Sequence, residues 1–272
     1  MSFSFRTDLA VEMRDAYKKA KMVDAPGVTS EEEVIDDVKV TRVKIETEEG
    51  AGYLNKPIGN YITLDAPQIK QNDPDTNEKV YKVLAKELRN LTGTDINRSV
   101  LVVGLGNQNV TPDALGPKVV EDIEVTRHIL EYAPDILTRP VRSVSAISPG
   151  VLGTTGMETG EVIRGVIDKI KPDFVIAIDA LASRRLERIS TTIQVADTGI
   201  NPGSGIGNKR MALSQETLGV PVIAIGVPTV VEAATMANDT IELMLENIDK
   251  TTSQNTDDYD RIKPMEQDEK YD

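Results

Sequence analysis

VLVVGLGNQNVTPDALGP, residues 100–117, decides how the rest of the chain is read. Val100 to Val103 are four consecutive apolar residues that run into Gly104 and Gly106, so a buried strand ends there in a sharp turn. A short apolar run bounded by turn residues fits a parallel strand covered on both faces. Beyond the turn a helix opens at Thr111-Pro112 or at Pro117, and Asp113 lies between the two candidate starts. In either case a carboxylate stands at the mouth of a strand-loop-helix unit, the edge of an open α/β sheet where ligands and chemistry gather.

Working outward, strands are expected near 98–104, 140–147, 173–179, 191–196 and 220–227. Helices are expected at 73–92, 113–132, 158–170, 180–188 and 229–248. Strands interleaved with helices imply an α/β fold: a doubly wound, mostly parallel sheet with helices on both faces. The segment 191–196 has flanks too short for a full crossover, which makes it an antiparallel or edge strand. Upstream, DLAVEMRDAYKKAKM (8–22) has Leu9, Met13, Ala16 and Ala20 at helical spacing. After Pro26-Gly27 and the acidic run Glu31 to Glu33, VKVTRVKIET (38–47) alternates like a half-buried strand. YITLDA (61–66) is its expected neighbour, joined through the turn-rich GAGYLNKPIGN (50–60). These form a small N-terminal β-rich lobe over residues 34–70. The division expected is thus 9–72 for the first helix and lobe, packed on the core, 73–249 for the α/β core, and 250–272 for a mobile acidic tail.

Composition narrows the function. At 272 residues, 39% of them hydrophobic and 28% charged, the chain is long enough to build a sizeable core. Lys and Arg total 31 against 44 Asp and Glu, a net charge of −13 that argues against nucleic acid or an acidic membrane surface as partner. There is no cysteine, which removes disulfides, thiolate metal sites and cysteine nucleophiles. No apolar run approaches the roughly 18 residues of a membrane span, and MSFSFRTDLAVE has no signal-peptide core, so a cytoplasmic protein is expected.

Two aspartates are placed for chemistry. Asp113 follows the first core strand, and Asp179 closes KPDFVIAIDA after the unbroken apolar run Phe174 to Ile178. Burial at the rim of a dry core would raise the pKa of Asp179, whereas a helix N-terminus would favour Asp113 as the anion. Such unequal environments can divide two carboxyls into an acid and a base around a water. An Asp beside a Pro at a helix start also serves as a plain cap. Asp173 begins the same strand as Asp179 and so belongs to the opposite sheet edge. The single histidine, His128, would lie about eleven residues into a helix starting no later than Pro117, roughly 16 Å along it. That distance excludes a triad or metal site shared with Asp113. An all-carboxylate magnesium site remains open, since hard cations need only oxygen ligands.

The glycine-rich loops are the remaining signals. Gly104-Leu105-Gly106 lacks the third small residue of the dinucleotide fingerprint. The loops carrying Gly150 and, in GINPGSGIGNKR (199–210), Gly203 and Gly205 offer backbone N–H groups to an extended peptide or an oxyanion. Plain turn geometry explains the same glycines.

VGLGNQNVTPDALGPKVVEDIEVTRHI, SAISPGVLGTTGMETGEVI, KPDFVIAIDALASRRLERISTTIQVADTGINPGSGIGNKR and LGVPVIAIGVPTVV together resemble the germination protease (spore protease) family of endospore-forming bacteria, peptidase family A25. The likeness runs from Arg6 to about Leu245. It implies a fold similar to that of hydrogenase-maturation endopeptidases. The implied activity is that of an endopeptidase which begins the degradation of small acid-soluble spore proteins at germination, in the cytoplasm of the forespore or spore core. It further implies a homotetramer made as a zymogen. The family's catalytic aspartates match TPDALGP and IDALASR here, that is Asp113 and Asp179. Its activation site matches RTDLAVE, which makes residues 1–8 a propeptide and puts the cut between Asp8 and Leu9. Thr7 or Asp8 acting as a helix cap is the alternative there. Family substrates are cut after an acidic residue, so Arg184, Arg185, Arg188 and Lys209 are candidates to receive it. With no histidine near the aspartates, a metal-free aspartic mechanism without cofactor is favoured. A metal-dependent hydrolase using the same aspartates, and a non-catalytic peptide-binding protein of the same fold, are the alternatives. Many members continue past the last helix, whereas this sequence ends in the polar DDYDRIKPMEQDEKYD (257–272).

Overall fold

Val100–Gly104, every residue buried, forms an inner strand of the sheet, one place from its edge, in the computed structural model, which describes residues 7–202, 211–233, 235–237, 240–241 and 244. In chain order the strands are β1 (Val28–Ile35), β2 (Val38–Ile45), β3 (Gly59–Asp65), β4 (Val100–Gly104), β5 (Val144–Ile147), β6 (Phe174–Ser183), β7 (Thr192–Ala196) and β8 (Val222–Val231). They make one sheet in the order β1-β2-β3-β7-β8-β6-β4-β5. The stretch β8-β6-β4-β5 is parallel, as the interleaved helices predict. From β8 through β7, β3, β2 and β1 every pairing is antiparallel, so the sheet is mixed rather than mostly parallel.

The reason lies in short connections. β1 and β2 are joined by Asp36-Asp37, both at positive φ, a two-residue hairpin that forces antiparallel pairing. Glu31 to Glu33, read from the sequence only as an acidic run before the first strand, are in β1, a strand at the sheet's edge that is charged and largely exposed, as befits an unpaired edge. β7 runs antiparallel, as its short flanks require, but it joins β3 to β8 inside the sheet. The N-terminal strands are therefore an extension of the main sheet.

The helices are α1 (Ala10–Lys21), α2 (Glu48–Leu54), α3 (Pro74–Thr92), α4 (Leu115–Asp122), α5 (Arg127–Tyr132), α6 (Leu152–Thr155), α7 (Thr159–Ile170) and α8 (Gln215–Leu218). α3 matches its sequence signals: the Asp73 carboxylate accepts the Thr76 N–H, Pro74 opens the helix, and Gly93 closes it at φ 75°. The helix expected over 113–132 is instead a 3-10 turn at Thr111–Asp113 followed by α4 and α5, parted where Ile123 turns extended. His128 thus sits exposed on the separate α5. The helix expected over 180–188 is reduced to a 3-10 turn at Leu186–Arg188, because β6 continues along β8 as far as Ser183. The start of the helix expected at 229–248 belongs to β8, and most of its remainder, with the tail 250–272, lies outside the described residues.

Side-chain size sorts the two faces. Ile176, Ile178, Ile223 and Ile225 pack with α3 and α4 on one face. Val175, Ala177 and Ala224 belong to the other, under α1, α2, α7 and α8. On the first face Arg42 of β2 grips Glu87 of α3 through two bonds, of 3.2 and 2.5 Å, with Glu87 only 1% exposed. The Glu87 carboxylate pushes the guanidinium pKa further above its ordinary value. Removing Arg42 leaves the Glu87 charge buried and unpaired. Arg42→Met is accordingly expected to lose about 3–5 kcal/mol in urea unfolding, and the double variant Arg42→Met/Glu87→Leu to recover most of it.

Candidate active site

Three glycines draw the carboxyl edge of the sheet together. An added Cβ on Gly104 would lie 2.1 Å from the Gly116 carbonyl oxygen, and one on Gly116 would lie 2.3 Å from the Leu105 oxygen and 2.6 Å from the Ile178 oxygen. α4 therefore begins in direct backbone contact with the end of β4 and with β6 one residue before Asp179. Gly106, at φ 111°, lets the loop fold over Asp113, whose backbone oxygen would be 2.0 Å from a Cβ there. Asp113 does not cap α4: its Oδ2 accepts the Asn107 N–H at 2.8 Å, which turns the carboxylate back over the loop following β4.

Asp179 is 6% exposed and its Oδ1 accepts the Ala180 N–H at 2.9 Å. In the sheet it pairs with Gly226 of β8, which pairs in turn with Gln194 of β7. Residues directly opposite one another across paired strands share a face. Asp179 and Gln194 consequently flank the bare Gly226 at about 10 Å, two strand spacings. The adjoining row is Ala177, Ala224 and Ala196, so small residues hollow this face where two strands' worth of large side chains would fill it.

The hollow is a cavity of about 1070 Å³, and both Asp113 and Asp179 line it, together with Gly106, Gly226 and Gln194. The volume suits a length of peptide, being at the upper end of small-molecule pockets. Tyr61 also lines it, 3% exposed, its hydroxyl donating to the Pro57 carbonyl at 2.8 Å and accepting from Thr198 Oγ1; burial pushes its pKa up to about 12.

Asp8 lies in this cavity too. Its N–H donates to the Ala182 carbonyl at 2.8 Å, and its Oδ2 accepts the Ala182 N–H at 2.8 Å. The Asp8 carbonyl accepts from both Lys56 Nζ and Gln194 Nε2, each at 3.0 Å. Leu9 is fully buried against Val11 and Leu181, with Ile200 beside them. α1 starts after Leu9 without a side-chain cap. Neither Thr7 nor Asp8 fills that role: Thr7 Oγ1 accepts the Leu9 N–H and donates to Glu12, and Asp8 is committed to β6.

The other described candidates lie apart from the cavity lining. Arg188 is 9% exposed and bonded to Asp65 at 2.6 Å, with Glu12 at 3.4 Å; Arg185 reaches the exposed Glu187. The backbone N–H groups of Arg184 and Arg185 both donate to the buried Glu12, which ties the loop after β6 to α1. Gly150, at φ 74°, accepts the Thr159 hydroxyl through its carbonyl. Gly203, Gly205 and Lys209 fall outside the described residues. Asp173 is at the opposite sheet edge, where bonds from the Ser99 hydroxyl and N–H hold its carboxyl below the usual carboxylate range. Among the described residues no group of three or more His, Cys, Asp and Glu converges as a metal site, and no helix is long and apolar enough to cross a membrane.

Lys56 and Gln194 are the site residues that sequence reasoning missed. Gln194 had a signal: a long polar side chain inside TTIQVA, a strand otherwise apolar or β-branched. Lys56 stood in a connection read only for its turns. Burial pushes its ammonium pKa below the ordinary value, against the opposing pull of the Asp8 charge.

Comparison with known proteins bears on this arrangement. The family model described as germination protease matches residues 6–270. The germination protease of Caldanaerobacter subterraneus subsp. tengcongensis is 55% identical over 266 residues, 98% of this chain and 81% of the relative. That of Clostridium tetani is 53% identical over 267 residues, 98% of this chain and 83% of the relative. That of Bacillus licheniformis is 51% identical over 251 residues, 90% of this chain and 68% of the relative.

Proposed function

Because this chain belongs to the germination protease family, a family of peptidases, we propose that it is an endopeptidase in which Asp113 and Asp179 act as a carboxyl pair on one water, and that its first substrate is its own Asp8–Leu9 bond. The reading is carried by one observation: Asp113, Asp179 and Asp8 all line the same cavity.

In this mechanism one carboxyl begins ionised, as the base, and the other protonated, as the acid. The ionised carboxylate takes a proton from the water, whose oxygen attacks the peptide carbonyl. The protonated partner then delivers its proton to the leaving amide nitrogen, and the C–N bond breaks. Asp113 is half-exposed on a 3-10 turn and Asp179 is buried on a strand, so the pair combines a solvent-side group with one fixed by the sheet. The substrates proposed beyond the chain itself are small acid-soluble spore proteins, cut after an acidic residue as Asp8 is here. No metal or cofactor takes part.

Full-length protein incubated at mildly acidic pH is expected to yield a new N-terminus at Leu9, read by Edman sequencing or intact mass. Its cleavage of a peptide carrying an acidic–Leu bond is expected to be the same with and without a chelator. An N-terminus unchanged under all conditions, with no peptide cleavage, would leave a binding protein. Activity abolished by chelator and restored by magnesium would replace the metal-free mechanism with a metal-assisted one.

A further inference from the structure

Residues 7–10 lie along the end of β6 as a bound peptide would, and each polar group around the Asp8–Leu9 bond has a partner. The acidic side chain and the N–H of Asp8 clamp the two sides of the Ala182 peptide. The Leu9 side chain enters an apolar seat of Leu181 and Ile200. Gln194, 8% exposed, straddles the bond: its Nε2 donates to the Asp8 carbonyl at 3.0 Å, while its Oε1 accepts the Ala10 N–H at 2.7 Å. Lys56 Nζ gives the same carbonyl a second, cationic donor at 3.0 Å.

We propose that Lys56 and Gln194 are the oxyanion-binding pair of this peptidase, and that the seat filled by residues 7–10 is its substrate cleft, with Ala182 reading the acidic residue before the cut. The assignment rests on the reading that Asp113 and Asp179 cleave the Asp8–Leu9 bond. When water adds to that carbonyl, its π electrons move onto the oxygen. Two preorganised N–H donors at about 3 Å are then worth more to the oxyanion than to the neutral carbonyl. The tetrahedral species collapses with the electron pair returned to the carbonyl, the proton on the Leu9 nitrogen and the Asp8 carboxyl released. Gln194 is held for this by its row: it shares a sheet face with Asp179, and the missing side chain of Gly226 between them makes room for Leu181, on which Leu9 packs.

The test uses full-length protein with Lys56→Met, which keeps the stem and removes the donor, and Gln194→Glu, which keeps the acceptor for Ala10 and removes the donor. Lys56→Arg, which keeps a cationic donor, is the rescue. Release of residues 1–8 and cleavage of the acidic–Leu peptide by each variant are followed, with thermal unfolding as the folding control. Each donor-less variant is expected to lose about 10²–10³-fold in kcat while folded and with KM little changed, and Lys56→Arg to recover part of the loss. Folded Lys56→Met and Gln194→Glu that process and turn over at the wild-type rate would overturn the oxyanion assignment and leave the aspartate reading intact. Wild-type rates in Asp113→Asn or Asp179→Asn protein would overturn the aspartates, and with them the inference. A raised KM with unchanged kcat would make Lys56 and Gln194 binding residues only, which also overturns the assignment.

Discussion

Asp179→Asn protein is expected to cleave an acidic–Leu peptide at least about 10²–10⁴-fold more slowly than wild type, the worth of general acid–base catalysis, and to keep residues 1–8 attached. Asparagine preserves the shape of the side chain and can still accept the Ala180 N–H that Asp179 accepts at 2.9 Å, so the fold should survive and thermal unfolding should move little. Asp113→Asn should behave in the same way, because its backbone partner, the Asn107 N–H, likewise needs only an acceptor. Residues that act as a unit do not lose rate additively, so the double variant should be scarcely slower than either single one. Initial rates on a fluorogenic peptide decide the matter: a single variant at the wild-type rate removes that residue from the mechanism, and a multiplicative double loss would mean that the two act on separate steps.

Gly116→Ala should produce the second large loss without touching a carboxyl group. A methyl at that position meets the Leu105 oxygen at 2.3 Å, the Leu105 nitrogen at 2.4 Å and the Ile178 oxygen at 2.6 Å, all of them backbone atoms that cannot rotate aside. The start of α4 must therefore lift from β4 and β6, carrying Asp113, three residues earlier, away from Asp179. A misplacement of about 1 Å costs on the order of 10²-fold in rate, and overpacking of this kind about 1–3 kcal/mol in stability. Gly165→Ala, in the exposed middle of α7 with nothing within 4 Å of the added methyl, is the matched control and should be neutral or slightly stabilising. Full activity in Gly116→Ala would show that the spacing of the two aspartates is not set by this contact.

The parallel half of the sheet was legible because its strands are short apolar runs closed by glycine or aspartate and separated by helices of ordinary length. The antiparallel half was not, since its order depends on which strands find each other in space: β7 was recognised, but nothing in TTIQVA says that β3 lies on one side of it and β8 on the other. β1 was hidden by its own edge chemistry, as Glu31 to Glu33 resemble a loop when one looks for a buried face. β6 was cut short at Asp179 because a carboxylate normally ends a core strand, whereas here four further residues pair with β8. The two aspartates could be singled out by the apolar runs before them. The cleft's shape was also written in the sequence, in VIAIDA (175–180) and VIAIGV (222–227), where large and small residues alternate. A search for hydrophobic periodicity passes over it, because isoleucine and alanine both count as apolar and only their volumes differ.

The double clamp of Asp8 on Ala182 has a kinetic consequence. A segment covalently joined to α1 meets its own cleft at an effective concentration of the millimolar order, far above that of any competing protein chain. On the processing proposed above, an outside chain of comparable affinity is outcompeted while the joint is whole, and the first cut should follow first-order kinetics, independent of dilution. Once the joint is broken the occupant is a free octapeptide, which leaves because nothing returns it. Severing one bond thus makes the vacancy permanent without any rearrangement of the sheet.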